Sequence, residues 1–205
     1  ALKGGLNAPF MSIYTASYLE KMGKSKLLAE ELIATTQKAI KESNGQIALA
    51  LSPDDVIAHF KQGVISFPMG MENGSPLEGK LENIDYFYEK GIRYLSFAHS
   101  DHNHISDSSG KTKKQWQGLS DFGEKLVKRM NKLGMMIDVS HVSDEAFWSI
   151  LALSKAPIIA SHSSSRHFTP GYERNMSDEM VKAMADKGGI IMVNFGSAFL
   201  TPQAH

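Results

Sequence analysis

Two short apolar runs that each end in a histidine decide the fold of this chain. The first is Met135-Met136-Ile137-Asp138-Val139-Ser140-His141, and the second is Pro157-Ile158-Ile159-Ala160-Ser161-His162. Short apolar runs bounded by turn residues are typical of buried parallel strands. Residues 143–154 between them have a helical pattern, with Ser143 as the expected N-cap. Strand, helix and strand form a βαβ unit, which places both histidines at the carboxyl ends of parallel, often adjacent strands.

The rest of the chain repeats this alternation. Regular alternation of strands and helices predicts a parallel sheet, either a closed (β/α)₈ barrel or an open, doubly wound sheet. No Gly-x-Gly-x-x-Gly follows a strand, which weakens the nucleotide-binding version of the open sheet. Pro68 falls inside one predicted strand and indicates a bend there. The other predicted strands are 10–14, 47–51, 64–71, 92–98 and 190–195, and the other predicted helices are 17–41, 53–62, 77–90, 121–133 and 177–186.

Polar residues with metal-binding side chains end several of these strands. Glu72, His99, His141 and His162 each follow or close an apolar run. A barrel brings many strand ends onto one ring, so this placement favours the closed barrel. Two histidines and a carboxylate at one rim are typical of a zinc site, where a bound water with a pKa of about 7 supplies a nucleophile. The alternative for each single histidine is a hydrogen-bonded structural residue.

Two further groups of candidates lie in loops. His102 and His104 form a His-x-His sequence in the loop after the strand at 92–98, which is a weaker metal signal because loop histidines are usually exposed. Arg166 and Arg174 lie in the loop after His162. One of the two could bind an anionic group with bidentate geometry, and the alternative is a solvated arginine.

The composition limits the classes of function. The 22 basic residues balance the 22 acidic ones, so no charge excess points to nucleic acid or to an anionic membrane surface. The absence of cysteine excludes disulfides, thiolate ligands and a cysteine nucleophile. No apolar run reaches membrane-spanning length and no signal peptide is visible, which leaves the compartment open between cytoplasmic and exported. The start at Ala1, without an initiator methionine, is interpreted as an internal start.

Several motifs resemble the membrane dipeptidase (renal dipeptidase) family of zinc peptidases. The most specific are the run from Met135 to His141 and Ala160-Ser161-His162-Ser163-Ser164, together with Gly118-Leu119-Ser120-Asp121-Phe122-Gly123. Met71-Glu72-Asn73-Gly74 resembles the Glu-Gly-Gly segment of that family, and the run from Tyr94 to His99 resembles its strand with a substrate-side histidine. The resemblance extends over essentially the whole chain.

The resemblance implies a (β/α)₈ TIM barrel of the metal-dependent hydrolase type, with two zinc ions at the carboxyl ends of the strands. Glu72 would bridge both ions, and His141 and His162 would bind one of them. His99 would contact the substrate and polarise the scissile carbonyl, and Arg174 would bind the substrate's carboxylate. A metal-bridging hydroxide would attack the peptide bond of a dipeptide.

Two features of the family pattern are not found in this sequence. The family's first strand carries a His-x-Asp metal pair, and no such pair precedes Phe10. The family's acid/base aspartate lies on a strand beyond the position of Phe195. We therefore expect residues 1–205 to form a single partial barrel that lacks the first and last strands and has two exposed edges. A complete site would hold two zinc ions, and this chain one or none.

The predicted function is zinc-dependent hydrolysis of dipeptides. One alternative is a related metal-dependent amidohydrolase that acts on non-peptide amides or lactams, because specificity resides in loops. The other is a catalytically silent binding protein or fragment, because the His-x-Asp pair and the acid/base aspartate are absent from the sequence. Assembly as a homodimer is left open.

Overall fold

The computed structural model describes residues 2–202, which form two parallel β-sheets and eight α-helices. The strands follow the predicted alternation closely. Short 3₁₀ turns at Ser75–Leu77 and Arg166–Phe168 lie in loops. The strands are β1 (Met11–Tyr14), β2 (Ile47–Leu49), β3 (Ile65–Phe67), β4 (Met69–Glu72), β5 (Ile92–Ser96), β6 (Met136–Asp138), β7 (Ile159–Ser163) and β8 (Ile190–Val193). The helices are α1 (Tyr18–Lys21), α2 (Ser25–Glu42), α3 (Pro53–Lys61), α4 (Glu82–Glu89), α5 (Asp121–Leu133), α6 (Asp144–Leu153), α7 (Asp178–Asp186) and α8 (Ser197–Leu200).

The main sheet has six strands in the order β1-β4-β5-β6-β7-β8, and every neighbouring pair is parallel. With helices against it, this sheet is the half-barrel expected of a partial (β/α)₈ fold. Within the part of the chain described, β1 and β8 are its two edges. The edge strand β8 leaves Ile190 and Val193 more than half exposed, in contrast to the buried strands at the centre of the sheet.

The core lies between the sheet and the helices that follow its strands. Phe87 of α4, Leu126 of α5 and Phe147 of α6 are essentially fully buried and belong to one apolar cluster with Leu95 and Ile137 of the sheet. The helices begin where capping residues predict. The hydroxyl of Ser143, for example, accepts a hydrogen bond from the backbone N–H of Ala146 at 3.2 Å and so stabilises the first turn of α6.

The region around Pro68 differs from the prediction. The expected single bent strand at 64–71 is two strands, and β3 pairs with β2 whereas β4 pairs with β1 and β5. Proline has no backbone N–H to donate, so a ladder of hydrogen bonds is readily interrupted at this point. The two halves of the run therefore belong to different sheets.

Two predicted helices are shorter than expected. The run from 17 to 41 is divided into α1 and α2 at Gly23, whose φ of +61° ends the first helix. The helix expected at 77–90 begins only at Glu82, because Glu78 and Gly79 both have positive φ and separate it from the 3₁₀ turn before it. Both changes arise at left-handed residues, which a right-handed helix does not accommodate.

Candidate metal centre

The four strand-end residues meet at one rim of the sheet. Glu72 closes β4, His99 follows β5, His141 follows β6 and His162 lies within β7. Glu72 Oε1 lies 3.0 Å from His162 Nε2, 3.2 Å from His141 Nε2 and 3.5 Å from His99 Nε2. The two Nε2 atoms of His141 and His162 are 2.9 Å apart. These four side chains are partly buried, with side-chain exposures between 14 and 30%.

The convergence of these atoms fits a bound cation. A carboxylate oxygen and an unprotonated imidazole nitrogen are both lone-pair donors, so they approach closely only around a proton or a metal ion. Glu72, His99 and His141 also form a group whose ligand atoms all lie within 4.8 Å of one another. Carboxylate and imidazole are ligands that zinc prefers in proteins. The shorter contacts of His162 with Glu72 and His141 favour it as a member of the ligand set.

The backbone and the neighbouring strand hold Glu72 and His141 in place. Ser12 of β1 donates a hydrogen bond to Glu72 Oε2 at 2.9 Å, which leaves Oε1 free for the histidines. His141 has a φ of +73°, a conformation that costs about 1 kcal/mol or more in a residue with a side chain. Its carbonyl oxygen accepts hydrogen bonds from the backbone N–H of Ser109 at 2.8 Å and from the Ser109 hydroxyl at 3.1 Å. The loop after β5 therefore holds the backbone of His141 in this conformation.

A buried carboxylate beneath the site connects β5, β6 and β7. Asp138 is fully buried, and its Oδ1 accepts hydrogen bonds from the backbone N–H groups of Ser140 at 3.0 Å and Ser161 at 2.9 Å. Its Oδ2 accepts hydrogen bonds from the hydroxyls of Ser96 and Ser161. Sequence reasoning assigned no role to Asp138, although a charge inside an apolar strand must be paired and could have been recognised for that reason.

Three further residues at the site, Ser12, Tyr14 and Ser161, could not be assigned roles from the sequence. Ser12 reaches Glu72 from the neighbouring strand β1, and Ser161 joins its neighbour His162 to Asp138 of the adjacent strand β6, so both roles depend on strand register. Tyr14 lies opposite Glu72 in the register of β1 and β4, and its ring centroid is 4.7 Å from that of His99. These residues complete one side of the site.

Arg174 lies beside the cluster with part of its hydrogen-bonding capacity unused. One terminal nitrogen donates to Ser163 Oγ and the other to the carbonyl oxygen of His162, both at 2.7 Å, but the buried Nε has no partner. Burial lowers the pKa of Arg174 to about 10, although Asp138 opposes this shift. No carboxylate in residues 2–202 forms a salt bridge with it. The site therefore offers a buried cation to an anionic group.

The other loop candidates have structural partners. Arg166 forms two hydrogen bonds with the carboxylate of Asp144, at 2.7 and 2.6 Å. His102 Nε2 lies 2.8 Å from the carbonyl oxygen of Lys113, and His104 Nδ1 lies 3.1 Å from Glu20 Oε1. The two loop histidines are partly buried rather than exposed, and neither belongs to the cluster around Glu72.

Burial and charge set the protonation states that metal binding requires. Burial lowers the pKa of His141 to about 4, which outweighs the opposing effect of its hydrogen bond with Glu72. Burial likewise lowers the pKa of His99. For Glu72, burial raises the pKa, but the neighbouring imidazoles of His141 and His162 hold it well below its usual range. Near neutral pH the carboxylate is therefore ionised and His141 is neutral, as ligands must be.

The depressed pKa of His141 predicts how the stability of the metal-free protein depends on pH. The unfolded chain binds a proton at this residue below its ordinary value of 6.5, whereas the folded chain does so only near 4. The unfolded state therefore binds more protons in this window, and stability falls as the pH is lowered. Between about pH 8 and pH 5 we expect this residue to account for a loss of about 2 kcal/mol in the free energy of unfolding.

Urea unfolding in the presence of a chelator measures this effect. The variant His141→Gln, which has no proton to gain here, should lose correspondingly less stability over the same range. An equal loss in both proteins would show that His141 titrates normally in the folded state.

The whole chain, residues 1–205, matches the family described as membrane dipeptidase (peptidase family M19), and the chain belongs to this family. The resemblance recognised from the motifs is thereby confirmed.

Individual relatives agree with this assignment. Dipeptidase tcpJ of Claviceps purpurea is 33% identical over 159 residues, which are 78% of this chain and 37% of that protein. The crystal structure of the probable dipeptidase PvdM from Pseudomonas aeruginosa has a TM-score of 0.89 at 29% identity, over 96% of this chain and 52% of that one. The dipeptidase AC, described as a metallo peptidase, has a TM-score of 0.91 at 23% identity, over 99% of this chain and 63% of that one, and shares the fold. This chain thus spans less than two thirds of each relative's length.

No helix in the described part of the chain is both long enough and apolar enough to cross a bilayer.

Proposed function

We propose that the protein is a metal-dependent dipeptidase and that its metal is zinc. The observation that carries this proposal is the approach of Glu72 Oε1 to His141 Nε2 and His162 Nε2 beside the buried guanidinium of Arg174. Membership of the family and the dipeptidase relatives support the same activity. Hydrolysis by a metal-activated water also needs no cysteine nucleophile, and the chain has none.

Glu72, His141 and His162 would hold the metal. Bound zinc would act as a Lewis acid and would lower the pKa of a bound water to about 7. The ionised Glu72 lies next to the Nε2 atoms of His141 and His162, and Ser12 holds its second oxygen. The carboxylate is therefore oriented before a metal ion binds. Two zinc ions in a complete site, with Glu72 shared between them, remain a prediction.

Arg174 would select the substrate by its free carboxylate. Its Nε is buried and unpaired, and the two terminal nitrogens are fixed by Ser163 and His162, so the guanidinium is presented in one orientation. A carboxylate next to a fixed guanidinium forms strong, geometrically specific hydrogen bonds. Because His162 is both a predicted ligand and a contact of Arg174, the carboxylate would be held close to the metal. A carboxylate held beside the metal would limit substrates to short peptides.

His99 would contact the substrate between these two groups. Its ring centroid lies 4.2 Å from that of His141, and Ser100 Oγ lies 2.8 Å from its Nδ1. Burial keeps its imidazole neutral, and a neutral imidazole still carries one N–H that can donate a hydrogen bond. Directed at the carbonyl of the scissile bond, this donor would stabilise the charge that develops on the oxygen.

A panel of substrates tests the proposal. The zinc-loaded protein is assayed with dipeptides, with the same dipeptides amidated at the C-terminus, and with N-acylated amino acids. We expect hydrolysis of the free dipeptides and a large increase in KM for the amides, because the amides have no carboxylate for Arg174. Activity on the acylated amino acids alone would instead favour the amidohydrolase alternative and contradict the dipeptidase proposal.

The variant His141→Ala supplies the control for the site. It removes one proposed ligand and should abolish hydrolysis of the dipeptides. If its activity equals that of the parent protein, the metal centre described above is not the catalytic site. A parent protein that binds zinc but hydrolyses no member of the panel would support the catalytically silent alternative.

A further inference from the structure

We propose that Ser161 and Asp138 fix the tautomer of His162, so that its Nε2 presents a lone pair to the metal. This inference rests on the metal site proposed above and concerns residues behind the ligands rather than the ligands themselves. Ser161 and Asp138 are positioning residues in this role, because neither points a ligand atom into the cluster around Glu72 Oε1. The position of the single proton of the Ser161 hydroxyl determines the tautomer of His162.

Asp138 is the acceptor for the hydroxyl proton of Ser161. Asp138 is fully buried, and two backbone N–H groups, which can only donate, face its Oδ1. The Ser161 hydroxyl lies 2.6 Å from its Oδ2. An ionised carboxylate only accepts hydrogen bonds, so the Ser161 hydroxyl must be the donor in this contact. Its one proton is therefore committed to Asp138.

The ring of His162 faces the oxygen of the same hydroxyl. Ser161 Oγ lies 2.7 Å from His162 Nδ1. Because the hydroxyl has no further proton to give, Nδ1 must carry the hydrogen and donate it to Oγ. Ser140 Oγ also lies 3.4 Å from Ser161 Oγ, much farther than Asp138 Oδ2 at 2.6 Å, so the hydroxyl proton is directed at the carboxylate. The backbone N–H of His162 donates to Ser140 Oγ at 3.1 Å, which holds the residue in the same place from the other side.

The consequence appears on the far side of the ring. With the hydrogen on Nδ1, the neutral ring has a lone pair on Nε2, the atom 3.0 Å from Glu72 Oε1 and 2.9 Å from His141 Nε2. The opposite tautomer would direct an N–H into the cluster and prevent coordination by this nitrogen. The hydroxyl of Ser161 thus transmits the charge of Asp138 to the metal site, in the way that carboxylates commonly orient metal-binding histidines.

The experiment compares Ser161→Ala and Ser161→Thr with the parent protein. Ring nitrogen NMR of the metal-free protein near pH 8 identifies which nitrogen of His162 is protonated, and competition with a chelator gives the zinc affinity. We expect Nδ1–H in the parent. We expect a mixture of tautomers and a loss of zinc affinity of about 10- to 100-fold in Ser161→Ala. Threonine keeps the hydroxyl and should restore both properties.

The matched control is Ser164→Ala. Ser164 is a buried serine near the end of β7, but its hydroxyl donates to the carbonyl oxygen of Asn194, and no contact with Asp138 or His162 is found for it in the described part of the chain. It should keep the Nδ1–H tautomer and the parent's zinc affinity.

Two results would overturn the inference: Nε2–H on His162 in the parent, or a Ser161→Ala variant with unchanged tautomer and affinity. A parent protein with Nδ1–H that binds no zinc would contradict the proposed metal site instead, so the two failures are distinguishable.

Discussion

Glutamine in place of Glu72 is expected to remove zinc binding and dipeptide hydrolysis together. Glu72 Oε1 is the atom that three histidine nitrogens approach within 3.5 Å, and it supplies the negative charge of the cluster. Glutamine keeps the shape of the side chain but has no charge. Loss of a residue that only supports a ligand lowers metal affinity by up to roughly 100-fold. We expect the loss of a ligand itself to lower the zinc affinity by more than this. Metal analysis after dialysis and an assay with dipeptides measure both effects.

Glu89→Gln is the matched control for this substitution. Glu89 lies exposed at the end of α4, away from the rim that carries the cluster, and the same change there should leave zinc content and activity unaltered. Retention of zinc by Glu72→Gln, with activity close to that of the parent, would show that Glu72 is not a ligand. Loss of activity with full zinc content would assign it a catalytic role only.

Removal of the carboxylate of Asp138 is expected to produce the largest loss of stability. In Asp138→Ala the hydroxyls of Ser96 and Ser161 and the backbone N–H groups of Ser140 and Ser161 lose their acceptor in a fully buried place. Each unsatisfied buried donor costs about 1–3 kcal/mol, and a water molecule that enters the vacated space would offset part of this cost. We expect a decrease of about 3 kcal/mol or more in the free energy of unfolding, measured by urea denaturation of the metal-free protein.

A surface aspartate provides the comparison. Asp101 is about half exposed and pairs with Lys111, and exposed ion pairs contribute about 1 kcal/mol or less. Asp101→Ala should therefore leave the urea midpoint nearly unchanged. If Asp138→Ala is no less stable than Asp101→Ala, the hydrogen bonds around Asp138 contribute little to the fold, and its position under the site would need another explanation.

The parallel half-barrel and the meeting of four side chains at its rim could be predicted because both depend on local features. A short apolar run is visible in sequence, and so is the polar residue at its end. Once the strands are parallel, their carboxyl ends lie at one edge, which brings Glu72, His99, His141 and His162 together without knowledge of any contact.

The contacts that distinguish similar residues could not be predicted, because they join distant parts of the chain. Arg166 and Arg174 occupy one loop, and only the pairing of Arg166 with Asp144 separates a structural arginine from one with unused donors. The division at Pro68 is similar, since the run continues as a strand on both sides and only the choice of partner strands assigns the halves to two sheets. The contacts of Ser12 with Glu72 and of Ser161 with Asp138 likewise depend on the register of neighbouring strands.

The left-handed backbone at His141 has an evolutionary consequence. Among side chains that bind zinc, histidine and aspartate are the ones often found at positive φ, whereas glutamate and cysteine are not favoured there. A lineage that replaced this ligand would therefore have only one conservative choice, aspartate, and its shorter side chain reaches less far toward Glu72. The turn after β6 thus restricts which substitutions natural selection can explore, independently of the chemistry that the ligand serves.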